Sequence, residues 1–424
     1  MPDTSPTAPA TATSPSPPAA TGTARVGLLL ILVLGSLSAM APLSMDMYLP
    51  ALPRVTTALH TQDGLVQLTL TSCMAGLALG QLVAGPLSDS LGRRRPLLVG
   101  LVCYVLSTAA CAVVPDVRLL IACRLVQGLS GATGIVIARA IVRDLFDGLA
   151  AARFQTTLMM ISGSAPLIAP IIGGQLLRAT SWRGVFVVLT VLGLVQLAAV
   201  ALRVPETLPR GRRHSGRLPD TLRTMRGLLA DRLFTGYLLT LALGYGTLFA
   251  FLAGSPYVLQ EVFKASPQQY SLLFALIELG LVLMTQVTGR VLLGRFPSHG
   301  VQLVGVTGLT AAGTLLVLMS SLWHQGLWPV TGMLCLMAVS LGVSSPPSSA
   351  LALQRAPQAA GTASALVGTA QFLTGAVAPA LVGLGGHGSA LPMGVVILGF
   401  AAASLLAFVA LVRPWQRTAD PLRS

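Results

Sequence analysis

The chain has 424 residues, of which 54% are hydrophobic and only 9% are charged, and its formal net charge is +14. Soluble domains carry roughly 25% charged residues to cover their water-facing surface, so this composition excludes a soluble globular protein and predicts one that faces lipid. The basic residues lie in short clusters between apolar stretches and form no basic face with interleaved aromatic residues, which argues against a nucleic-acid partner.

The N-terminal segment differs from the rest of the chain. Residues 1–24 are rich in Pro, Thr, Ser and Ala and contain no basic residue, so they lack the positive region of a signal peptide. We predict a disordered tail there. The five cysteines lie in apolar stretches without a C-x-x-C pair, which favours packing over metal or disulfide roles.

Twelve apolar stretches follow, each long enough to cross a bilayer as a helix of about 20 residues. They lie at residues 26–48, 66–88, 96–114, 117–139, 154–178, 183–203, 233–254, 268–292, 301–321, 327–351, 361–383 and 391–413. The longest connection separates six stretches from six. The sequence therefore predicts an all-α membrane protein, with a site between its halves. Its parts are an N-terminal half at 25–203, a basic cytoplasmic linker at 204–232, a C-terminal half at 233–413 and a tail at 414–424.

The basic residues are distributed unevenly between the two ends of these predicted helices. With the N-terminus in the cytoplasm, 21 of the 27 Arg and Lys residues fall in cytoplasmic segments and 5 on the other side. Arg124 remains inside the membrane. Because cytoplasmic loops are enriched in basic residues, we predict that both termini are cytoplasmic.

Three charged residues lie clearly inside predicted spans, where each charge costs roughly 3 kcal/mol on insertion scales. Asp46, near the outer end of the first span, and Arg124, in the fourth, are predicted at similar depth. They either pair as a structural lock or take part in proton coupling. Glu278 is predicted about 15 Å deep in the eighth span, where it either carries a proton or faces a water-filled cavity.

Three further segments carry patterned residues. After the second span, the sequence runs from Gly85 through Asp89 and Gly92 to Arg93, Arg94, Arg95 and Pro96. Its glycines permit a tight turn, and Asp89 and Arg93 stand four residues apart, a spacing that favours an ion pair. In the fourth span, Gly128, Gly131 and Gly134 repeat every three residues and predict close approach of another helix. The fifth span contains Gly163, Pro166, Pro170, Gly173 and Gly174, which predict a kinked helix.

Other chemistry is excluded by the sequence. The chain contains no Walker A loop, no H-E-x-x-H pair and no G-x-S-x-G elbow. We therefore predict that it is not an enzyme, that it has no cofactor or metal, and that ATP bound to this chain does not drive it.

These segments resemble the major facilitator superfamily, and specifically its drug:proton antiporters of the Bcr/CflA subfamily, which includes bicyclomycin and chloramphenicol/florfenicol exporters. The segment from Gly85 to Pro96 is similar to the superfamily's signature loop, and Arg124-x-x-Gln127-Gly128 is similar to its fourth-helix motif. The segment from Gly163 to Gly174 resembles the antiporter motif, although Ala169 replaces the usual glycine before Pro170. Met45 to Pro53 is similar to the first helix of the subfamily.

The resemblance implies proton-coupled export of small drugs across a bacterial inner membrane by a monomer; the alternative is export or import of a native metabolite. It implies that Gly85, Asp89, Gly92, Arg93 and Arg94 gate the cytoplasmic side and that Arg124 takes part in proton coupling. No acidic residue lies at 34–38, where some relatives have one, which directs attention to Glu278 as the proton carrier. Several polar, aromatic and Met side chains either line a substrate cavity or pack between helices: Tyr48, Met74, Gln127, Met159, Tyr245, Phe249 and Gln371.

Overall fold

A computed structural model describes residues 20–146, 148–209, 211, 218–322, 326–386 and 388–413. The described part contains twelve helices that are long and apolar enough to cross a membrane, which confirms the predicted number of spans. A helix satisfies all its backbone hydrogen bonds internally, and this is required where lipid replaces water.

The twelve helices are named in chain order. The N-terminal half contains α1 (Ala20–Asp46), α2 (Asp63–Leu91), α3 (Arg94–Val113), α4 (Val117–Leu145), α5 (Gly148–Ala179) and α6 (Arg183–Arg203). The C-terminal half contains α7 (Arg232–Tyr257), α8 (Pro267–Val287), α9 (Ser298–Leu322), α10 (Leu327–Gln354), α11 (Ala360–Leu384) and α12 (Leu391–Ala407). The chain enters α1 and leaves α12 at the same end of the bundle, which we call the terminal end; the opposite end is the distal end.

Shorter elements extend or connect these helices. A 3-10 turn at Leu49–Ala51 and a short helix at Leu52–Ala58 follow α1 at the distal end. Single π-helical turns continue α7, α8 and α12, at Val258–Val262, Thr288–Leu292 and Phe408–Val412, and Leu293–Arg295 forms a last helical turn after α8. The predicted linker contains a helix at Leu218–Ala230.

The predicted boundaries of the tail and the helices differ in places from the observed ones. Because α1 begins at Ala20, residues 20–24, which the sequence analysis placed in the tail, are helical. Residues 1–19 and 414–424 lie outside the described part. α5 continues as one helix through Pro166 and Pro170. The kink expected at these two prolines stays a prediction.

Glycines bring the helices of the N-terminal half close together. A Cβ atom on Gly128 of α4 would collide with the Cys73 carbonyl oxygen of α2, and one on Gly134 would lie 3.1 Å from the Leu37 carbonyl oxygen of α1. Gly131 instead faces the Tyr104 ring of α3. The glycines therefore let two helices, α2 at Gly128 and α1 at Gly134, approach α4 closely. Residues three apart on an α-helix differ in direction by only about 60°, so the stripe turns by about 120° from Gly128 to Gly134 and reaches α1 as well as α2.

The two halves meet along two helix pairs, α2 with α11 and α5 with α8. The first pair stays in contact along its length, because glycines of α11 leave room for α2 side chains. Gly368, Gly375 and Gly383 face Gln81, Met74 and Gln67, respectively. The second pair touches near the distal end, where a Cβ atom on Gly174 would lie 3.1 Å from the Pro267 carbonyl oxygen. Any site between the halves is therefore bordered by these four helices.

Candidate site between the two helix halves

Arg124 is fully buried in the N-terminal half and has only uncharged partners. Its Nη1 atom donates hydrogen bonds to the Ser44 carbonyl oxygen at 3.1 Å and to Gln127 Oε1 at 2.6 Å, and Nη2 donates to Met45 Sδ at 3.2 Å. Its guanidinium carbon also lies 5.0 Å from the centroid of the Tyr48 ring. The positive charge is thus balanced by dipoles and a ring face.

The predicted ion pair between Asp46 and Arg124 does not form. Arg124 contacts Ser44 and Met45 of α1, whereas Asp46 is further around the helix. Consecutive residues along a helix are rotated by about 100°, so Asp46 points away from the direction in which the Met45 side chain meets Arg124. Equal depth in the membrane therefore did not bring the two charges to the same face.

Asp46 lies instead in the electrostatic field of Glu278, a carboxylate of the other half. Each of the two residues is only 4% exposed, and neither has a hydrogen bond or ion pair with any residue that the structure describes. The Tyr270 hydroxyl, near the start of α8, lies in the field of both. Two like charges in an apolar setting are costly.

Aromatic side chains of the C-terminal half continue from Glu278 toward α11. Tyr245 lies close to Ser345 and in the electrostatic field of Glu278. Its ring centroid is 6.4 Å from that of Phe249, which is 6.3 Å from that of Phe372. Phe249 faces Gly375, opposite Met74 of α2. This interface therefore combines apolar rings with a few polar groups, as pockets for small organic molecules do.

The residues predicted to line a substrate cavity fall into separate places. Tyr48 and Gln127 belong to the Arg124 cluster within the N-terminal half. Met74, Tyr245 and Phe249 lie between the halves or near Glu278. Gln371 is half-buried on α11, and the Met159 side chain lies outside the described residues.

A second polar cluster lies at the terminal end, around Arg93. The predicted ion pair with Asp89 is present, and Arg93 Nε also donates to Asp144 Oδ2 at 2.8 Å. The Arg93 backbone N–H donates to Glu206 Oε1 at 2.8 Å. Burial alone lowers the pKa of the Arg93 guanidinium, but the hydrogen bonds to Asp144 and Asp89 outweigh it and raise that pKa above its ordinary value.

Backbone geometry at the turn explains how Arg93 reaches these partners. Gly92 has φ of 91°, in the left-handed region that favours glycine, and it ends α2. Arg94 then donates to the Ala201 carbonyl oxygen at 2.7 Å. Gly85, by contrast, lies inside α2, so only one of the two predicted glycines forms the turn.

Asp144 and Glu206 were missed by the sequence analysis. They are 51 and 113 residues from Arg93, so no local spacing relates them to it. The sequence did contain a signal for them. Each is an acidic residue close to the terminal end of a predicted span, where most neighbouring charges are arginines that need a partner.

Hydrogen bonds between the halves close the distal end. Gln67 Nε2 donates to the Ala253 carbonyl oxygen at 3.0 Å, and Gln268 Nε2 donates to the Gly174 carbonyl oxygen at 2.8 Å. Gly173, which lies beside Gly174 at the end of the predicted antiporter motif, packs against the Met47 backbone. Gly163, at the beginning of the motif, has no neighbour within 4 Å of an added Cβ atom. The end of that motif, rather than its beginning, lies at the junction.

Taken together, the twelve helices and the buried charges between their halves define a polytopic membrane transporter with a site at the junction. The sequence profile of the Major Facilitator Superfamily matches residues 34–379, and the chain belongs to this superfamily.

Named relatives match most of the chain. An uncharacterized MFS-type transporter, YdgK, of Bacillus subtilis is 36% identical, over 92% of this chain and 97% of its own length. A bicyclomycin resistance protein homolog of Haemophilus influenzae is 31% identical, over 86% and 91% of the two chains. A chloramphenicol resistance protein of Pseudomonas aeruginosa is 32% identical, over 76% of each. The crystal structure of a D-xylose-proton symporter has the same fold, with a TM-score of 0.69 at 15% identity over 93% of this chain and 98% of the symporter.

Proposed function

We propose that this protein exports small organic drugs, of the kind represented by bicyclomycin and chloramphenicol, in exchange for protons. The names of two relatives, at 31% and 32% identity, support the class of substrate. The apolar and aromatic lining near Glu278 supports a largely uncharged cargo, because such a site recognises shape with few polar anchors.

The observation that carries the proton coupling is the placement of Asp46 and Glu278. They belong to different halves, each is 4% exposed, and each lacks a charged partner among the described residues. A proton on either carboxylate removes a charge that is costly in the membrane interior. When the halves move apart, water reaches the carboxylates and the proton can leave, so proton and drug bind in opposite states.

Arg124 contributes to this proposal as a fixed positive charge. Arg124 donates a hydrogen bond to Gln127, which in turn donates to Thr108. It also donates to the carbonyl oxygen of Ser44, which lies in the last turn of α1, close to Asp46 in the chain. Movement of that segment therefore changes both the surroundings of Arg124 and the position of Asp46. The cluster around Arg93 is proposed to hold the terminal end of the N-terminal half in one arrangement, and Gly173 and Gly174 to permit distal closure.

The experiment uses purified protein in liposomes with an imposed pH gradient. We expect uphill transport of chloramphenicol or bicyclomycin that a protonophore abolishes. Glu278→Gln mimics the protonated carboxylate, so it is expected to lose uphill transport while downhill exchange of the drug continues. Glu261→Gln is the matched control, because Glu261 lies in the same half but near the distal surface.

Each outcome bears on a different part of the proposal. Transport that ignores the protonophore contradicts proton coupling, and a parent protein that moves neither drug contradicts the proposed substrate class. If Glu278→Gln drives uphill export as well as the parent does, Glu278 is not the carrier. The same measurement on Asp46→Asn then tests the remaining carboxylate.

We further propose that the protein is a monomer in a bacterial inner membrane, with the terminal end in the cytoplasm. The orientation follows from the excess of basic residues at that end, 21 against 5. A reporter that is active only outside the cytoplasm, fused after residue 424, is expected to be silent. The same reporter inserted after His60, in the first distal loop, is expected to be active.

A further inference from the structure

We propose that a cleft on the outer face of the N-terminal half binds an anionic phospholipid, with one acyl chain in the cleft and the headgroup phosphate at Arg95. The cleft is separate from the site between the halves. It has a volume of about 260 Å³ and is lined by residues of α2, α3 and α4.

The cleft exists because α2 and α3 both pack on α4 and much less on each other. Small residues form its inner surface, so that the larger side chains stand only along its sides. These small residues are Gly80, Ala84, Gly100, Ser130 and Thr133. The larger side chains are exposed and apolar: Val83, Leu87, Leu91, Val99 and Leu129. An elongated apolar group therefore fits between the helices.

Arg95 supplies the charge at one end of this cleft. It is the second residue of α3, so it lies at the terminal-end boundary of the membrane, where long basic side chains reach the headgroup region. Arg93 and Arg94 have protein partners in Asp144 and the Ala201 carbonyl oxygen. Arg95 is exposed and has no hydrogen bond or ion pair with any described residue. Its guanidinium is thus available to a phosphate, which it matches in geometry.

The surroundings favour an anionic lipid over a zwitterionic one. Arg93 is compensated by Asp89 and Asp144, so Arg95 is the charge at this turn that the protein leaves uncompensated. A headgroup that carries its own ammonium would bring a second positive charge near Arg95 and lose part of the attraction. Each basic residue near the membrane surface contributes about 1 kcal/mol toward anionic lipid. The cleft opens outward, where exposed apolar side chains face the bilayer, so its occupant arrives from the lipid phase.

Native mass spectrometry of the full-length protein tests the headgroup part. The protein is exchanged into detergent with equal amounts of phosphatidylglycerol and phosphatidylethanolamine of the same acyl chains, and the bound lipid is counted. We expect the parent to retain phosphatidylglycerol preferentially, and Arg95→Gln to lower that preference roughly fivefold, which corresponds to about 1 kcal/mol. Arg203→Gln is the matched control, because Arg203 is also exposed at the terminal end but lies outside the cleft. Equal retention of both lipids by the parent, or an unchanged preference in Arg95→Gln, overturns the proposal.

Filling the cleft tests the acyl-chain part without touching the charge. Cys103 is exposed and lines the cleft, whereas Leu106, one turn further along α3, is 65% exposed and does not line it. Cys103→Trp is expected to reduce retention of both lipids, and Leu106→Trp to leave it at the parent level. Equal retention by the two variants contradicts binding in this cleft. Thermal unfolding of both variants, with midpoints matching the parent, shows that any loss reflects the cleft rather than misfolding.

Discussion

Two buried arginines of the N-terminal half differ in how their charge is compensated. Arg93 has two carboxylate partners on its side chain, Asp89 and Asp144. Arg124 has a carbonyl, an amide, a thioether and aromatic rings, and its Nε atom has no partner in the described structure. A paired charge tolerates burial better than one held by dipoles alone. Arg124 is therefore the more sensitive of the two to small movements of its neighbours.

The first prediction separates Asp46 from the stability of the Arg124 cluster. Because Asp46 forms no ion pair with Arg124 and its negative charge is costly beside Glu278, Asp46→Asn is expected to unfold no more easily than the parent. Gln127→Leu removes both the 2.6 Å bond from Arg124 and the bond to Thr108 Oγ1, so it is expected to cost about 1–3 kcal/mol. Thermal unfolding of the two purified variants checks this, and a large loss for Asp46→Asn would restore the structural lock.

The second prediction concerns Asp144, the partner of Arg93 that sequence reasoning missed. Asp144→Asn is expected to reduce drug export at least about fivefold while the protein remains in the membrane, because Arg93 loses a charged partner at 2.8 Å. Asp89→Asn is expected to act in the same direction. Drug accumulation and the amount of membrane-inserted protein are measured in the same cells.

Ser90→Ala serves as the control for these variants. Ser90 is exposed, lies in the same turn and donates only to the Leu87 carbonyl oxygen. Export by Asp144→Asn at the level of the Ser90→Ala control would limit the Arg93 cluster to an orienting role during membrane insertion.

At the scale of elements, the helix ends show how the connections are fixed. Asp231 precedes α7, and its carboxylate accepts a hydrogen bond from the Leu233 N–H at 2.8 Å and from Arg355 at 2.9 Å. Burial alone raises the pKa of Asp231, but the bonds from Leu233 and Arg355 outweigh it and hold that pKa below the ordinary 3.8. The end of the linker is thereby joined to the end of α10.

The third prediction follows from this cap. Asp231→Ala is expected to lower stability by about 1 kcal/mol, whereas Asp231→Asn keeps an acceptor for the Leu233 N–H and loses less. Because the pKa of Asp231 is lower in the folded protein, its charged form stabilises the fold at pH values above the ordinary pKa of 3.8. This contribution is lost as the pH falls below about 3.8. Unfolding midpoints of the parent and Asp231→Asn, measured at several pH values, are expected to converge in acid. A constant difference would contradict the charge contribution.

The helices that join the two halves carry the fourth prediction. A Cβ atom on Gly174 of α5 would lie 3.1 Å from the Pro267 carbonyl oxygen and would collide with the Ser271 side chain of α8. Gly174→Val is therefore expected to prevent distal closure and to slow transport strongly. Gly163→Ala, in the same motif, places its Cβ in open space and is expected to match the parent.

Crosslinking with a bifunctional thiol reagent about as long as a tyrosine side chain measures this closure directly. Cysteines introduced at Thr56 and Tyr257, whose native hydroxyl oxygens are 3.3 Å apart across the distal end, are expected to be bridged by it in Gly163→Ala and much less in Gly174→Val. Equal crosslinking would show that α5 and α8 adjust to the larger side chain.

At the scale of the whole molecule, the two ends of the bundle are built differently. The distal end is held by hydrogen bonds between the halves, such as Gln67 to the Ala253 carbonyl and Gln268 to the Gly174 carbonyl. The described ion pairs of the terminal end lie within one half, as Arg93 with Asp144 and Arg355 with Asp231 do. Neutral hydrogen bonds between halves contribute about 1 kcal/mol each and are readily exchanged for water. Alternating opening of the distal end thus requires no separation of a buried ion pair among these residues.

The sequence by itself determined the number of spans and which residues carry charge into them. These follow from local rules, because a span needs about 20 apolar residues and each intramembrane charge stands out against them. It also related Asp89 to Arg93, which are four residues apart.

The rotation of each helix and the choice of neighbours depended on the tertiary structure. Depth along the membrane placed Asp46 level with Arg124, but in the tertiary structure Arg124 contacts Ser44 and Met45, and Asp46 interacts electrostatically with Glu278 of the other half. The contacts of Arg93 with Asp144 and Glu206 likewise arise only when distant segments meet, since no periodicity relates residues on different helices.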